Sequence, residues 1–189
     1  MRLQSAARFH VVKKHEKEGR LTEFIRQQLA ERDDRLVREF LLVARSPRSP
    51  AMRALRALAG ELASEAIGVR AVLLEPAEAD TSSEALAGDF RLLSEVRALE
   101  AHEQLVLGPA TAWIGDCMRR EPNERDAFEA YASACPLTAG WALRSFQALW
   151  RRATPVSMAH PGASDSLAAQ LATGSLPAEQ RPAGPSARS

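Results

Sequence analysis

The sequence predicts an α/β domain, a mixed, mainly parallel sheet flanked by helices, and three consecutive stretches carry that expectation. The run Phe40-Leu41-Leu42-Val43-Ala44 is short, continuously apolar and ended by Ser46-Pro47, the pattern of a strand buried on both faces. Ser49-Pro50 then opens a helix, with Ser49 suited to the N-cap, Pro50 to the first helical position, and Met52, Leu55, Leu58 and Leu62 three or four residues apart up to Gly68. Val69–Leu74 follows as a β-run closed by Pro76. Together they make a strand–helix–strand unit of the length that a right-handed parallel crossover needs. For the first strand a second reading stays open, in which Leu36, Val37 and Phe40 continue the preceding helix.

Composition sets the outer bounds. A length of 189 residues and a hydrophobic content of 46% suit one domain with tails and a real core. A net charge of +1, from 25 basic and 24 acidic residues, gives no global field for polyanions, so any nucleic-acid binding must come from a local patch. Cys117 and Cys135 make neither a disulfide framework nor a CxxC knuckle and read as reduced thiols. The basic N-terminal stretch lacks an apolar core, and no later stretch approaches a membrane span, so a soluble, cytoplasmic protein with no membrane partner is expected.

Residues 1–19 are expected to form a flexible basic arm, with His10 and His15 as solvated histidines, and residues 20–156 the α/β domain. Residues 157–189, rich in Ala, Pro and Ser and including His160, are expected to be disordered, because so few large apolar residues cannot offset the entropy of ordering. Within the domain, Leu21, Phe24, Ile25 and Leu29 mark one face of a first helix. Pro76–Gly88 is a loop or weak helix, and Phe90–Val96 a third strand. Residues 121–136 read as a charged turn leading to a last helix capped by Thr138. That helix carries Leu143, Phe146 and Leu149, with Arg151 and Arg152 complementing its dipole. Trp141 and Trp150 are expected to pack in the core or against the sheet.

The candidate site lies in Ala101–Arg120. Leu105–Leu107 and Thr111–Ile114 read as the strands of a hairpin turning at Gly108–Pro109 and stopping at Gly115–Asp116. His102 stands at the mouth of the first strand, as a hydrogen-bonded structural histidine, a ligand-binding residue or a nucleophile. With Glu103, Asp116, Cys117, Glu121 and Asp126 it supplies groups from which a metal site or a Cys–His pair can be imagined, but the spacing matches no metal motif. No metal or cofactor is expected. A second candidate surface is basic: Arg45, Arg48, Arg53 and Arg56 cluster where the second helix begins, fit either for a phosphate or for an ordinary exposed face balanced by Glu61 and Glu65.

The series of strand, long helix, GVR-type strand, strand, histidine-bearing hairpin ending in glycine, acidic stretch and closing helix ending in F-x-x-L-W resembles one half of a phospholipase D-like domain, from about Arg38 to Val156. The resemblance implies a hairpin carrying H-x-K, an Asp and a Gly-Ser-x-Asn stretch, with two copies meeting across a two-fold axis and so a homodimer. His102 then takes the histidine position and Gly115 the glycine. Gln104 stands in place of the phosphate-binding lysine, Gly108–Pro109 in place of the Asp, and Asp116 and Met118 in place of the Ser and Asn. A neutral amide cannot offset the charge of a phosphoryl transition state as an ammonium does, and an added aspartate repels it. The expected function is therefore a non-catalytic binding or interaction module. The alternatives are a divergent phosphodiesterase with His102 as nucleophile, and a nucleic-acid-binding module using the Arg patch; Gln104, Gly115, Asp116 and the four arginines are the candidate binding residues for a phosphate-containing ligand.

Overall fold

In a computed structural model, residues 7–31, 37–75, 86–94, 102–115 and 127–156 are described. Strand β2 (Glu39–Ala44) is the apolar run of the sequence, and it pairs in parallel with β3 (Gly68–Leu73) through the register Val43↔Val72. Between them the helical stretch is broken in two, α2 (Pro50–Ala57) and α3 (Ala59–Ser64), at Leu58. Ser49 caps α2 as expected, its hydroxyl accepting from the Met52 N–H at 3.3 Å. The helical stretch ends before Gly68, where Ala66 takes a left-handed φ of 53°. Glycine is the usual residue for that conformation.

The third strand, β4 (Gly88–Leu92), begins two residues earlier than Phe90 and runs parallel to β3. Gly88 is required there: a Cβ would sit 1.9 Å from the Val69 carbonyl oxygen. The expected hairpin forms as β5 (Gln104–Val106) and β6 (Ala112–Ile114), closed by Leu107 N–H to Thr111 O at 3.0 Å, and β5 lies antiparallel to β2.

Three strands lie where none was expected. Arg8–Val12, within the supposed arm, is β1, and α1 (Lys17–Glu31) starts four residues before Leu21. Ala127–Ala132, read as part of a charged turn, is β7, which pairs with β1 on one side and β6 on the other, both antiparallel. β1 and β7 pair across more than 100 residues of sequence, a gain that local composition does not report. A short β8 (Thr154–Pro155) follows α4 (Pro136–Arg152) and pairs with β4. The strand order is β1-β7-β6-β5-β2-β3-β4-β8. The sheet is mixed, and among the described residues parallel pairing is confined to β2–β3–β4.

Helices cover both faces. Leu21 and Ile25 of α1 and Met52 and Leu55 of α2 pack with Phe40, Leu42, Val69, Ala71, Leu105 and Trp113 on one face. On the other, Phe146 and Leu149 of α4 meet Val43 and Val72, and Ala139 and Ala142 meet Val106 and Ala112. The closing helix begins at Pro136, so Cys135, and not Thr138, holds the N-cap position; the Thr138 hydroxyl lies 3.1 Å from Cys135 Sγ and helps to lower that thiol's pKa. Trp150 packs as expected, stacked on Phe146 with the Arg70 and Arg91 guanidiniums 4.2 and 4.3 Å from its ring centroid. Trp141 does not: it is 46% exposed. Among the described residues no helix is long and apolar enough to cross a membrane. The proposed tail, 157–189, lies outside them.

Candidate functional site

Open α/β sheets place ligands beyond the carboxyl ends of their parallel strands. Here that end of the sheet carries Arg45 after β2 and Glu75 after β3. His102 enters it from β5, whose register sets Gln104 against Val43 of β2, and Gly115 leaves it from β6. In the sequence Arg45 belongs to the basic surface, apart from the hairpin residues His102, Gln104 and Gly115; the fold sets all four at this end of the sheet. Asp116 and Cys117, with Glu121 and Asp126, lie outside the described residues.

Alternation in the extended chain leading into β5 separates His102, Glu103 and Gln104. His102 is exposed. Glu103 turns inward and is 1% exposed; its Oε1 accepts the Arg45 N–H at 3.1 Å, and its backbone carbonyl accepts the Gly115 N–H at 2.8 Å. Gln104 turns to the opposite face, is completely buried, and donates from Nε2 to the Ala142 carbonyl of α4 at 3.0 Å. Its Oε1, like Glu103 Oε2, is buried without a hydrogen-bond partner among the described residues. The Gln104 amide thus staples the hairpin to α4.

Gly115 has a packing reason: a Cβ there would lie 2.5 Å from the Trp113 ring, which is fully buried. The arginines are similarly engaged. Arg45 Nε meets Glu75 Oε1 at 2.7 Å, Arg53 Nε meets Glu18 Oε2 at 2.5 Å, and Arg53 Nη1 also donates to the Arg48 carbonyl. Arg56 Nη1 donates to Pro47 O at 2.9 Å, and its burial lowers its pKa. Arg48 is exposed, with its backbone N–H donated to Ser46 Oγ at 3.3 Å. These contacts fasten the 45–49 loop to α2 and to the end of β3, and α2 to α1. Among the described residues no three His, Cys, Asp or Glu side chains group as metal ligands.

One polar cluster has no counterpart among the residues singled out from the sequence. Glu129 of β7 is completely buried; its Oε1 pairs with Lys17 Nζ of α1 at 2.8 Å, while Trp113 Nε1 and the Tyr131 hydroxyl donate to its Oε2 at 3.1 and 2.7 Å. Lys17 Nζ also lies 5.5 Å from the centroid of the Trp113 ring. Burial pushes the Tyr131 hydroxyl up to about 12, outweighing the opposing influence of Arg20. The available signal was the alternation in Ala127–Ala132, with Glu129 and Tyr131 two residues apart on one strand face.

No protein-family model and no curated protein matches the sequence. Solved structures do match. Nuc from Salmonella typhimurium, a phospholipase D family member, aligns over 80% of this chain and 99% of its own at 15% identity with a TM-score of 0.54. NucT from Helicobacter pylori aligns over 80% and 99% at 14% identity with a TM-score of 0.53. TrmBL2, an archaeal chromatin protein with a novel mode of DNA binding, aligns over 82% of this chain and 56% of its own at 9% identity with a TM-score of 0.58. The chain has a phospholipase D-like α/β fold.

Proposed function

We propose that this chain is a non-catalytic phospholipase D-like binding module. The observation that carries the reading is Gln104. At the position where the resemblance calls for a phosphate-binding lysine, the side chain is neutral, fully buried and spent on the Ala142 carbonyl. A group so placed offers no positive charge to a phosphoryl transition state, and loss of a single preorganised donor typically lowers rate a hundred- to a thousandfold. The engaged head groups of Arg45, Arg53 and Arg56 point the same way. His102 and Gly115 then mark a site inherited in shape and not in chemistry. The DNA-binding neighbour TrmBL2 supports a nucleic acid as the kind of partner, and a homodimer is the form carried over from the resemblance.

The test is hydrolysis of single-stranded DNA by the wild type and His102→Ala, with and without EDTA. The module reading expects no cleavage in any arm. Cleavage that survives EDTA and is lost with His102 establishes a divergent phosphodiesterase instead; cleavage abolished by EDTA establishes a metal-dependent site.

A further inference from the structure

From the outer face of α4 we infer a docking surface for single-stranded nucleic acid. This gives the nucleic-acid partner of the binding reading a surface and a strandedness, and rests on that reading. Seventeen residues of α4 contain Arg144, Arg151 and Arg152 and no acidic residue, while the rest of the chain carries more acid than base. The helix therefore concentrates positive charge that the near-neutral total conceals.

Its geometry sorts these residues onto one side. Ala139, Ala142, Phe146 and Leu149 face the sheet. Leu137, Trp141, Arg144, Ala148, Arg151 and Arg152, spaced by three, four or seven, fall on the opposite stripe, and all are exposed. From Trp141 to Arg151 the stripe runs about 15 Å at 1.5 Å per residue, the length of about four stacked nucleotides. Among the described residues no carboxylate pairs with Arg144 or Arg151.

A 46% exposed tryptophan beside arginines is the pairing that single strands need: a ring for a base to stack on and cations for the phosphates. In a duplex the base faces are already stacked, so Trp141 adds little there. A protein partner fits less well, because Leu137 and Trp141 are the only large apolar side chains on the stripe, and three of its other four residues are arginines. Specific protein interfaces bury about 800 Å² per partner. Arg91, 4.3 Å from the Trp150 ring centroid, adds positive charge beside the C-terminal half of the helix, whereas Arg70, also against that ring, is paired with Glu39 at 3.5 Å.

The experiment is fluorescence anisotropy of a labelled dT20 strand with the full chain across a salt series, run alongside the same strand as duplex, anionic vesicles, and a gel for strand cleavage. Trp141→Ala should weaken single-strand binding about tenfold and leave the salt slope unchanged. Arg144→Gln/Arg151→Gln should weaken it and lower the slope of log K against log salt by about 1.4, at 0.7 per released charge. All three positions are exposed, and circular dichroism checks that the fold is kept. Wild-type affinity in both variants overturns the inference, as does binding of the vesicles without the strand, or loss of binding only on Arg53→Gln/Arg56→Gln. Cleaved strand on the gel would contradict the non-catalytic reading and leave the docking surface standing.

Discussion

Replacing Lys17 by Met tests how β1, β7 and α1 are held together. Lys17 Nζ and Glu129 Oε1 are 2.8 Å apart and nearly or fully buried, so the methionine fills similar volume but removes the only cation on the carboxylate among the described residues. Breaking one side of a buried ion pair costs about 3–5 kcal/mol, because a desolvated charge is left behind. Trp113 and Tyr131 still donate to Glu129 Oε2 at 3.1 and 2.7 Å and keep the loss near the lower figure. About 3 kcal/mol corresponds to a fall of about 6–12 °C in Tm for a chain of this size. The double variant Lys17→Met/Glu129→Gln removes the stranded charge while keeping an acceptor for both donors, so it should recover about 1–2 kcal/mol of that loss. Urea denaturation of the wild type, both single variants and the double variant measures the cycle. A Lys17→Met cost below about 0.5 kcal/mol, or costs that simply add, would refute the buried-pair argument.

Three further outcomes follow from the same geometry. Tyr131 is the sole tyrosine of the chain, so absorbance at 295 nm should follow it alone and give a midpoint near 12. Because the folded value is raised above the unfolded one near 10, its contribution to stability is complete below pH 10 and is lost as pH rises through about 12; a midpoint at 10 would show that the hydroxyl is not buried on Glu129. Gly115→Ala drives a methyl group into the Trp113 ring and should cost about 1–3 kcal/mol in urea denaturation, with the indole fluorescence altered. Gln104→Lys, which restores the residue type of the resemblance, should destabilise the fold by several kcal/mol and give no phosphodiesterase, since an ammonium is forced into a fully buried position; a stable variant that gains turnover would disprove that burial.

The central part of the fold was legible because its signals are local. The continuous apolar run of β2, the Ser49-Pro50 start of α2 and the Gly108–Pro109 turn each state their structure within a few residues. The edges were not. Arg8–Val12 and Ala127–Ala132 are strands because they pair with each other, and neither stretch announces that long-range partnership. For the site, the sequence put His102 at the mouth of the hairpin's first strand, and only the antiparallel pairing of β5 with β2 shows that this mouth lies at the carboxyl end of β2. What each neighbour does there depends on burial: Gln104 and Glu103 differ by one residue in sequence and face opposite sides of the sheet. Gly115 was legible as a match to a motif, whereas its need for a bare Cα comes from a tryptophan two residues back. The Lys17–Glu129 pair joins two residues whose sequence surroundings read as solvated charge. The stripe on α4 was hidden because Trp141 was assigned by its apolar character and not by its phase relative to Ala139 and Ala142.

The most direct measurement is release of the aryl alcohol from an activated aryl phosphodiester during prolonged incubation with the wild-type protein in excess, with His102→Ala beside it. With Gln104 buried and spent on α4, both proteins should match the buffer blank. Product formed by the wild type, absent with His102→Ala and unchanged by EDTA, would contradict the proposal that this phospholipase D-like fold serves here as a non-catalytic binding module.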